Sequence, residues 1–247
     1  MKWIKKDKEE PKALVDWRKQ ETETGNINWK ADGDAIFSKL QNEPKRRDEG
    51  IFYYTKDELW AHLLKEQGGL CAYCGGKITK TQVRIEHLCP KSVHRNKTLS
   101  YHNLVAVCQG GLGNANTHCD VKKENKPIFI FPIHKICEES YTYEVNGLIE
   151  GINENKAAND TIDVLNLNVP KLVEKRKNIA EVIDVTFQEG IENLSREDQI
   201  IEIENEINDL YNQVDLEAYC FVKIYRLRLM LLPPVKKQQN TEGAYLK

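Results

Sequence analysis

The chain has 247 residues and a mass of 28.6 kDa, enough for one large domain or two small ones with an apolar core. Charged residues make up 30% and hydrophobic residues 40%, which is too apolar for a disordered chain. No apolar run approaches the ~20 residues that a membrane span needs, and no apolar segment follows the N-terminal lysines. The seven cysteines are too few, and odd in number, for a disulfide scaffold. We therefore expect a cytoplasmic protein without membrane contact.

The net charge of −2 conceals a segregation of charge along the chain. Residues 71–126 contain nine basic residues against three acidic ones, whereas residues 138–217 contain twenty acidic residues against six basic ones. The basic stretch also holds most of the cysteines and histidines. This pattern predicts that a polyanion such as nucleic acid approaches the middle of the chain, and that the acidic part binds protein.

Local signals predict the elements of the first half. Residues 1–54 are polar and broken by glycines, so we expect short helices or an extended segment that wraps the core. Thr55 and Glu58 form a capping box at the start of a helix, which Gly68-Gly69 ends. Strand-like residues separated by a polar loop follow from Val83 to Val107, and a short helix is expected to open at Cys119.

In the second half, the apolar run Ile128–Ile133 predicts a buried strand, and Asn146-Gly147 predicts a type I′ turn within a hairpin. From about Asn155 the composition favours helices. We expect one from about Pro170 to Glu189, one after a Ser195 cap, and one from about Leu216 to Leu232. The helix after Ser195 has apolar positions at steps of three and four residues, which suit a short antiparallel seam or a partner contact (Ile200, Ile203, Ile207, Leu210 and Val214).

Four cysteines form two pairs around the strand-like segment, Cys71-x2-Cys74 and Cys108-x10-Cys119. A tetrahedral zinc ion takes four thiolates at about 2.3 Å, which two turns with paired cysteines deliver. The spacing therefore predicts a structural zinc knuckle, with His118 as an alternative to Cys119 because the two residues are adjacent. The other cysteines have no matching partner and are expected to be ordinary thiols (Cys89, Cys137 and Cys220).

A second polar set lies among these cysteines. Glu86 precedes His87, Asn103 stands on the returning strand, and Asp120 and Lys123 follow as Cys-Asp-x-x-Lys. Phosphodiester hydrolysis requires a base with a pKa near neutrality, which histidine supplies. It also requires a hard cation, which carboxylates or amides hold. Together these residues resemble the His-Asn-His (HNH) nuclease motif.

The segment from Cys71 to Pro127 is similar, more narrowly, to the retron- and Septu-associated HNH proteins of bacterial anti-phage defence. Outside it, Trp3-Ile4, Pro11-x-x-Leu14 and the run from Leu165 to Asn168 are similar to the same family. The resemblance implies an α+β fold with a small ββα-metal core and a zinc knuckle, flanked by an N-terminal helical segment and a C-terminal helical region. We divide the chain accordingly into an N-terminal segment for wrapping or partner contact, a nuclease core with the following hairpin, a helical region and a tail (residues 1–54, 55–152, 153–235 and 236–247).

The resemblance also implies roles for individual residues. His87 matches the general base, and Asn103 matches the residue that fixes it across the ββ loop. Glu86 and Asp120 match the ligands of a catalytic Mg²⁺ or Mn²⁺. Phosphate contacts are expected from three lysines (Lys91, Lys122 and Lys123). Because asparagine or histidine is usual at the position of Asp120, and the preceding insert leaves the register open, other residues remain alternative metal ligands (His118, Asn114 or Asn116).

Three functions remain open at this point. The first is a metal-dependent endonuclease that cuts DNA as the effector of a defence complex with an ABC/SMC-like ATPase. The second is an endonuclease that cuts RNA, for example transfer RNA, in a retron-type system with a reverse transcriptase and its multicopy single-stranded DNA. The sequence does not decide between DNA and RNA, because the catalytic residues act at the phosphate and not at the sugar. The third is a zinc-knuckle module that binds nucleic acid or assembles a complex without catalysis. A pure zinc scaffold has no need for Glu86, His87, Asn103 and Asp120 together, which favours a nuclease.

Overall fold

The N-terminal part of the chain wraps the core. The computed structural model describes residues 1–23, 37–38, 44–46, 52–79, 81–111 and 116–233. The segment before the first helix buries Met1 and Ile4, and the Ile4 N–H donates to the Pro132 carbonyl at 2.7 Å. Helix α1 follows, and two short strands then pair antiparallel (α1 Lys12–Glu23, β1 Pro44–Arg46 and β2 Phe52–Tyr54). Asn114 and the tail over residues 236–247 lie outside the described residues.

The central unit is a helix followed by a hairpin and a second, short helix. Helix α2 (Thr55–Glu66) ends before Gly68 and Gly69, both at positive φ, as the capping box and the glycines predict. Strands β3 (Val83–His87) and β4 (Leu104–Cys108) pair antiparallel, and α3 (Cys119–Lys123) follows them. The loop between the strands contains two 3₁₀ turns (Arg95–Lys97 and Tyr101–Asn103). This ββα order agrees with the expected core.

The predicted strand over Ile128–Ile133 is wrong. This segment is irregular, although Ile128 and Ile130 are buried. The N–H groups of Phe129 and Ile130 both donate to the Thr161 hydroxyl, at 3.0 and 3.1 Å. Because a side chain and the N-terminal segment take its backbone groups, the run forms no strand ladder.

The predicted hairpin is confirmed, but its turn differs from the expectation. Strands β5 (Tyr141–Tyr143) and β6 (Ile149–Gly151) pair antiparallel, with Tyr143 opposite Ile149. A type I′ turn needs positive φ at both central residues. Only Gly147, at φ 86°, has it, and Asn146 does not. The Gly147 N–H donates to the Glu144 carbonyl at 2.9 Å, which makes a longer connection over residues 144–148.

The last third of the described chain is helical, as its composition predicts. Asn155 accepts a hydrogen bond from the Ala158 N–H and caps the first of these helices. A π-helical segment, Val182–Phe187, continues the second helix, and Ser195 caps the next as expected. The helices and the remaining 3₁₀ turns have the following bounds: α4 Lys156–Leu165, α5 Pro170–Glu181, α6 Gln188–Ile191, α7 Arg196–Asn212, α8 Cys220–Leu231, and turns Lys135–Glu138 and Ile152–Glu154.

The apolar seam of α7 is partly internal. Ile203 and Leu210 are buried in a small second core together with Ile224 and Leu227 of α8. Val214 was expected in this seam but is 86% exposed, because α7 ends at Asn212. The main core lies under the hairpin β3–β4 and joins the N-terminal segment to the strands. Within the described ranges, no helix is long and apolar enough to cross a membrane.

Candidate metal and catalytic centre

Four thiol groups, called the thiol cluster below, converge between the turn after α2, the end of β4 and the start of α3. The sulfur atoms of Cys71, Cys74, Cys108 and Cys119 lie within 4.8 Å of one another, and all four thiols are free. The Cys71–Cys119 and Cys74–Cys108 sulfur distances are 3.8 and 3.9 Å. A tetrahedron with metal–sulfur bonds of about 2.3 Å has edges of about 3.8 Å. The donor set therefore fits a zinc ion, as the cysteine spacing predicts.

Tight backbone turns bring these thiols together. Gly75 has φ 73°, and a Cβ at this position would lie 2.0 Å from the Phe221 ring. The turn after β4 is packed as tightly, since a Cβ at Gly110 would lie 2.0 Å from the His118 carbonyl. Cys119 itself has φ 55°, which costs a non-glycine residue about 1–3 kcal/mol. A bond from its sulfur to a metal would offset that strain.

The thiols influence one another's ionisation strongly. The neighbouring Cys108 raises the pKa of Cys74 well above its usual value, and burial does the same for Cys119. Hydrogen bonds from the other three thiols lower the pKa of Cys108, with Cys119 contributing most. Four thiolates therefore cannot form together in this space without a cation. A divalent ion removes this conflict, because it deprotonates the thiols that it binds.

His118 lies beside the thiol cluster but is not one of its four members. Its Nε2 is 3.8 Å from the Cys108 sulfur, and its Nδ1 is 2.6 Å from the Asn116 carbonyl. A carbonyl only accepts, so Nδ1 carries the proton of a neutral ring and Nε2 faces the sulfur. The geometry places Cys119, rather than His118, among the four donors.

His87 ends strand β3 and is almost fully buried, at 5% exposure. Its Nε2 lies 2.9 Å from the Thr98 carbonyl, and its ring meets the Phe37 ring edge-on with the centroids 4.7 Å apart. Because the carbonyl only accepts, Nε2 must donate, which leaves Nδ1 as the basic nitrogen of the neutral ring. The ring is therefore held in one tautomer and one orientation.

Asn103 fixes the loop that follows His87. Its Oδ1 accepts from the Cys89 N–H at 2.7 Å, and its Nδ2 donates to the Cys89 and Lys97 carbonyls, both at 3.1 Å. Its own carbonyl accepts from the Leu88 N–H at 2.9 Å. Three of these four bonds reach the two residues directly after His87. This bridge across the ββ loop is the arrangement that the HNH resemblance implies.

Glu86 and Asp120 bring two carboxylates to the junction of β3 and α3. Burial raises the pKa of Glu86 to about 7, the nearby Asp120 adds to the shift, and Lys123 opposes it. Asp120 therefore lies near enough to Glu86 to influence its ionisation. Carboxylate oxygens are the ligands that Mg²⁺ and Mn²⁺ prefer, so the chemistry of this pair suits a hard divalent cation.

Each of these carboxylates has a cation of the protein as its partner, and the four residues are called the carboxylate centre below. The Lys123 Nζ lies 2.7 Å from Glu86 Oε1 and donates to the His87 carbonyl at 3.1 Å. The Arg84 guanidinium donates to Asp120 Oδ2 at 2.7 Å. Lys123 was expected at a phosphate, but it is only 1% exposed and has this internal partner instead. Lys122 is exposed on the same helix, and Lys91 lies with its Nζ 5.4 Å from the Phe37 ring centroid.

Several residues of the site escape sequence reasoning. The Tyr73 hydroxyl, in the first knuckle turn, donates to Glu86 Oε1 at 3.1 Å. Arg84 was detectable, because residues two apart on a strand share a face and Arg84 stands two before Glu86. Thr98 and Phe37 carry no such signal, since their contacts with His87 depend on the tertiary fold. His102, in the loop between the strands, is exposed.

The geometry defines the class of protein: an α+β protein whose hairpin and following short helix carry a histidine, an asparagine and two carboxylates beside a thiol cluster. No family model matches the chain. Among curated proteins, the retron Vc95 putative HNH endonuclease of Vibrio cholerae serotype O1 biovar El Tor is 31% identical over 144 residues, which cover 55% of this chain and 68% of that protein.

The chain therefore belongs to the family of this retron HNH endonuclease. The resemblance to HNH endonucleases of retrons, drawn from the motifs in residues 71–127, is confirmed. The narrower resemblance to Septu-associated proteins stays a prediction.

Proposed function

We propose that this protein is a metal-dependent endonuclease that hydrolyses phosphodiester bonds of nucleic acid. The observation that carries the proposal is the position of His87 on strand β3, directly after Glu86 and held in one tautomer by the Thr98 carbonyl. Asp120 lies near enough to Glu86 to influence its ionisation. Family membership supports the same reaction, since the relative is named an endonuclease. A zinc scaffold without catalysis has no use for this arrangement.

In the proposed reaction, His87 takes a proton from a water molecule through its Nδ1. The water oxygen attacks phosphorus, the bond from phosphorus to the leaving oxygen breaks, and the leaving oxygen takes a proton from solvent. The products are a phosphomonoester and an alcohol. Glu86 and Asp120 would hold Mg²⁺ or Mn²⁺, which supplies charge stabilisation to the phosphate oxygens when bound. Asn103 keeps the loop after His87 in place, so that the base does not drift from its position. Lys91 and Lys122 are the proposed phosphate contacts, since they lie nearer the surface than Lys123.

The test is cleavage of plasmid DNA and of RNA by the His87→Ala variant, with Mg²⁺ or Mn²⁺ present. A general base contributes roughly 10²–10⁴ in rate, so we expect a loss of that size with zinc content, fold and nucleic-acid binding preserved. His102→Ala is the matched control, because His102 is exposed on the same hairpin and should retain wild-type cleavage. Cleavage by His87→Ala at the wild-type rate would contradict this mechanism.

For the substrate we propose DNA, with RNA as the alternative that the same assay decides. The site residues act on phosphate and do not read the 2′-hydroxyl that separates the two nucleic acids. The name of the relative supports a role in a retron-type system, and the RNA alternative takes its force from that context.

We also propose that the protein acts as the effector of an anti-phage defence complex with an ABC/SMC-like ATPase, and in a retron with a reverse transcriptase and its DNA product. The proposed contact surface for the ATPase is the acidic exposed surface of α7, where Glu202 and Glu204 are exposed and Glu206 is half-buried. An acidic face suits a protein partner better than nucleic acid, because it repels phosphates.

A further inference from the structure

A cavity of about 590 Å³ lies where the N-terminal segment, the end of α2, the first knuckle turn and the helical region meet. It is separate from the groups proposed for catalysis, since neither His87 nor the carboxylate centre lines it. Five basic residues and two acidic ones do (Lys2, Lys5, Lys65, Lys135 and Arg228; Glu66 and Glu138). The cations come from four separate parts of the sequence, and only the fold brings them together.

Both carboxylates of the cavity are already paired. The Lys6 Nζ lies 2.7 Å from Glu66 Oε2, and the Lys2 Nζ lies 3.3 Å from Glu138 Oε1. Glu138 also accepts from the Tyr211 hydroxyl at 3.1 Å and from the Trp3 N–H at 3.1 Å. These carboxylates therefore have no capacity to neutralise the other cations of the cavity.

The remaining cations have no carboxylate partner among the described residues. Lys5, Lys65 and Lys135 are exposed and make no ion pair or side-chain hydrogen bond in that part of the chain. Arg228 donates to the neutral Tyr211 hydroxyl at 3.0 Å, which keeps its full charge. Four uncompensated positive charges around one cavity are notable in a chain whose net charge is −2. They produce a local field that attracts anions.

The Tyr211 ring lies close to two of the cations that line the cavity. The Lys2 Nζ lies 4.5 Å from the centroid of the Tyr211 ring, and the Arg228 guanidinium carbon lies 5.8 Å from it. Tyr211 thus holds two cations close together at one side of the cavity. Trp3 and Leu216 add apolar lining. The cavity combines several dispersed cations with apolar surface and has the size of ordinary small-ligand sites.

We propose that this cavity binds the phosphate groups of a nucleotide ligand. Several cations spread around a cavity match a ligand with several linked phosphates, whereas a ligand with a single carboxylate would engage only one of these cations. The phosphates can come from a free nucleoside triphosphate or from a strand of nucleic acid, and the chemistry of recognition is the same for both. The proposal does not depend on His87 or on cleavage.

The test measures binding to the full-length protein without added divalent ions, by calorimetry with ATP and by fluorescence anisotropy with a labelled single-stranded oligonucleotide. The cavity variant is Lys5→Glu/Lys135→Glu, which leaves the last turn of α2 and its Lys65 intact. The control is Lys175→Glu/Lys177→Glu, which makes the same charge change on exposed positions of α5. Zinc content and circular dichroism verify the fold of both variants.

We expect the cavity variant to bind at least one of the probes about tenfold more weakly than the control does, and the salt dependence of oligonucleotide binding to fall by about two charges. Loss of ATP binding alone identifies a free nucleotide as the ligand, and loss of oligonucleotide binding alone identifies a strand. Equal affinities of the two variants for both probes, or no binding of either probe by the wild type, would overturn the proposal. Cleavage is not measured, so failure here leaves the nuclease assignment untouched.

Discussion

The thiol cluster and the carboxylate centre are neighbours, since Cys119 and Asp120 adjoin at the start of α3, yet their charges are compensated in different ways. The four thiols lie against one another and the His118 ring, and their burial and mutual influence oppose their ionising together. The carboxylates have cations of the protein itself, with Lys123 on Glu86 and Arg84 on Asp120.

This difference separates two uses of metal. A cluster of thiolates without an internal counter-ion depends on its metal, and metal binding is then part of folding. A carboxylate pair with internal cations folds without a metal and can bind and release one during a reaction. We therefore expect the same short helix to contribute to a structural site and to an exchangeable site. The first two of the three predictions below test that division.

The largest expected effect comes from the thiol cluster. Cys71→Ser should lose zinc and unfold, because binding at such sites contributes about 10 kcal/mol of apparent free energy. Elemental analysis and thermal denaturation measure the two effects. Cys89→Ser is the control, since Cys89 is a half-buried thiol outside the cluster and should keep both zinc and fold. A well-folded wild-type preparation without zinc would contradict the structural role of zinc at the thiol cluster.

A smaller effect is expected at the carboxylate centre. Lys123→Met leaves the buried Glu86 without its cation, and breaking a buried pair costs about 3–5 kcal/mol. If a divalent ion takes the place of the lysine charge, added Mn²⁺ should raise the melting temperature of this variant more than that of the wild type.

The exposed neighbour on the same helix supplies the control for that prediction. Lys122→Met should melt like the wild type and respond to Mn²⁺ like the wild type. An equal rise in melting temperature for Lys123→Met and the wild type would show that Lys123 and the metal do not share Glu86.

The smallest effect on stability is expected where charges face solvent. Reversal of three carboxylates of α7, Glu202→Lys/Glu204→Lys/Glu206→Lys, should change the free energy of unfolding by less than about 1 kcal/mol. It should nevertheless weaken copurification with the proposed ATPase partner. The same reversal at Glu150, Glu154 and Glu174 controls for net charge. Unchanged complex formation would count against this surface.

Local signals in the sequence account for many elements of the fold. The helices predicted from the signals at Thr55 and Ser195 begin where expected, and the Ser195 side chain caps its helix, because such signals depend on residues within one turn. The hairpin at Asn146-Gly147 also forms, although with another turn. The run Ile128–Ile133 misled the prediction, because burial alone does not tell a strand from an irregular segment whose backbone groups are bound by distant partners.

The candidate site, too, was predictable from the sequence only in part. The spacing of the cysteines and the adjacent Glu86 and His87 was sufficient to predict a thiol cluster and an HNH motif. The tautomer of His87 was not predictable, since it depends on the carbonyl of Thr98 in the ββ loop. Lys123 looked like a phosphate contact because charged residues are rarely buried, and only its pairing with Glu86 explains its burial.

The sequence by itself determined which chemical groups this protein can use: four thiols in two pairs, a histidine beside a carboxylate, and a helix that begins Cys-Asp. The tertiary structure alone decided which charges meet. It placed Lys123 under the hairpin and assembled Lys5, Lys65, Lys135 and Arg228 around one cavity, although the sequence concentrates basic residues elsewhere. The physical reason is range, since spacing and capping act within a few residues, whereas electrostatic pairing depends on distance in space.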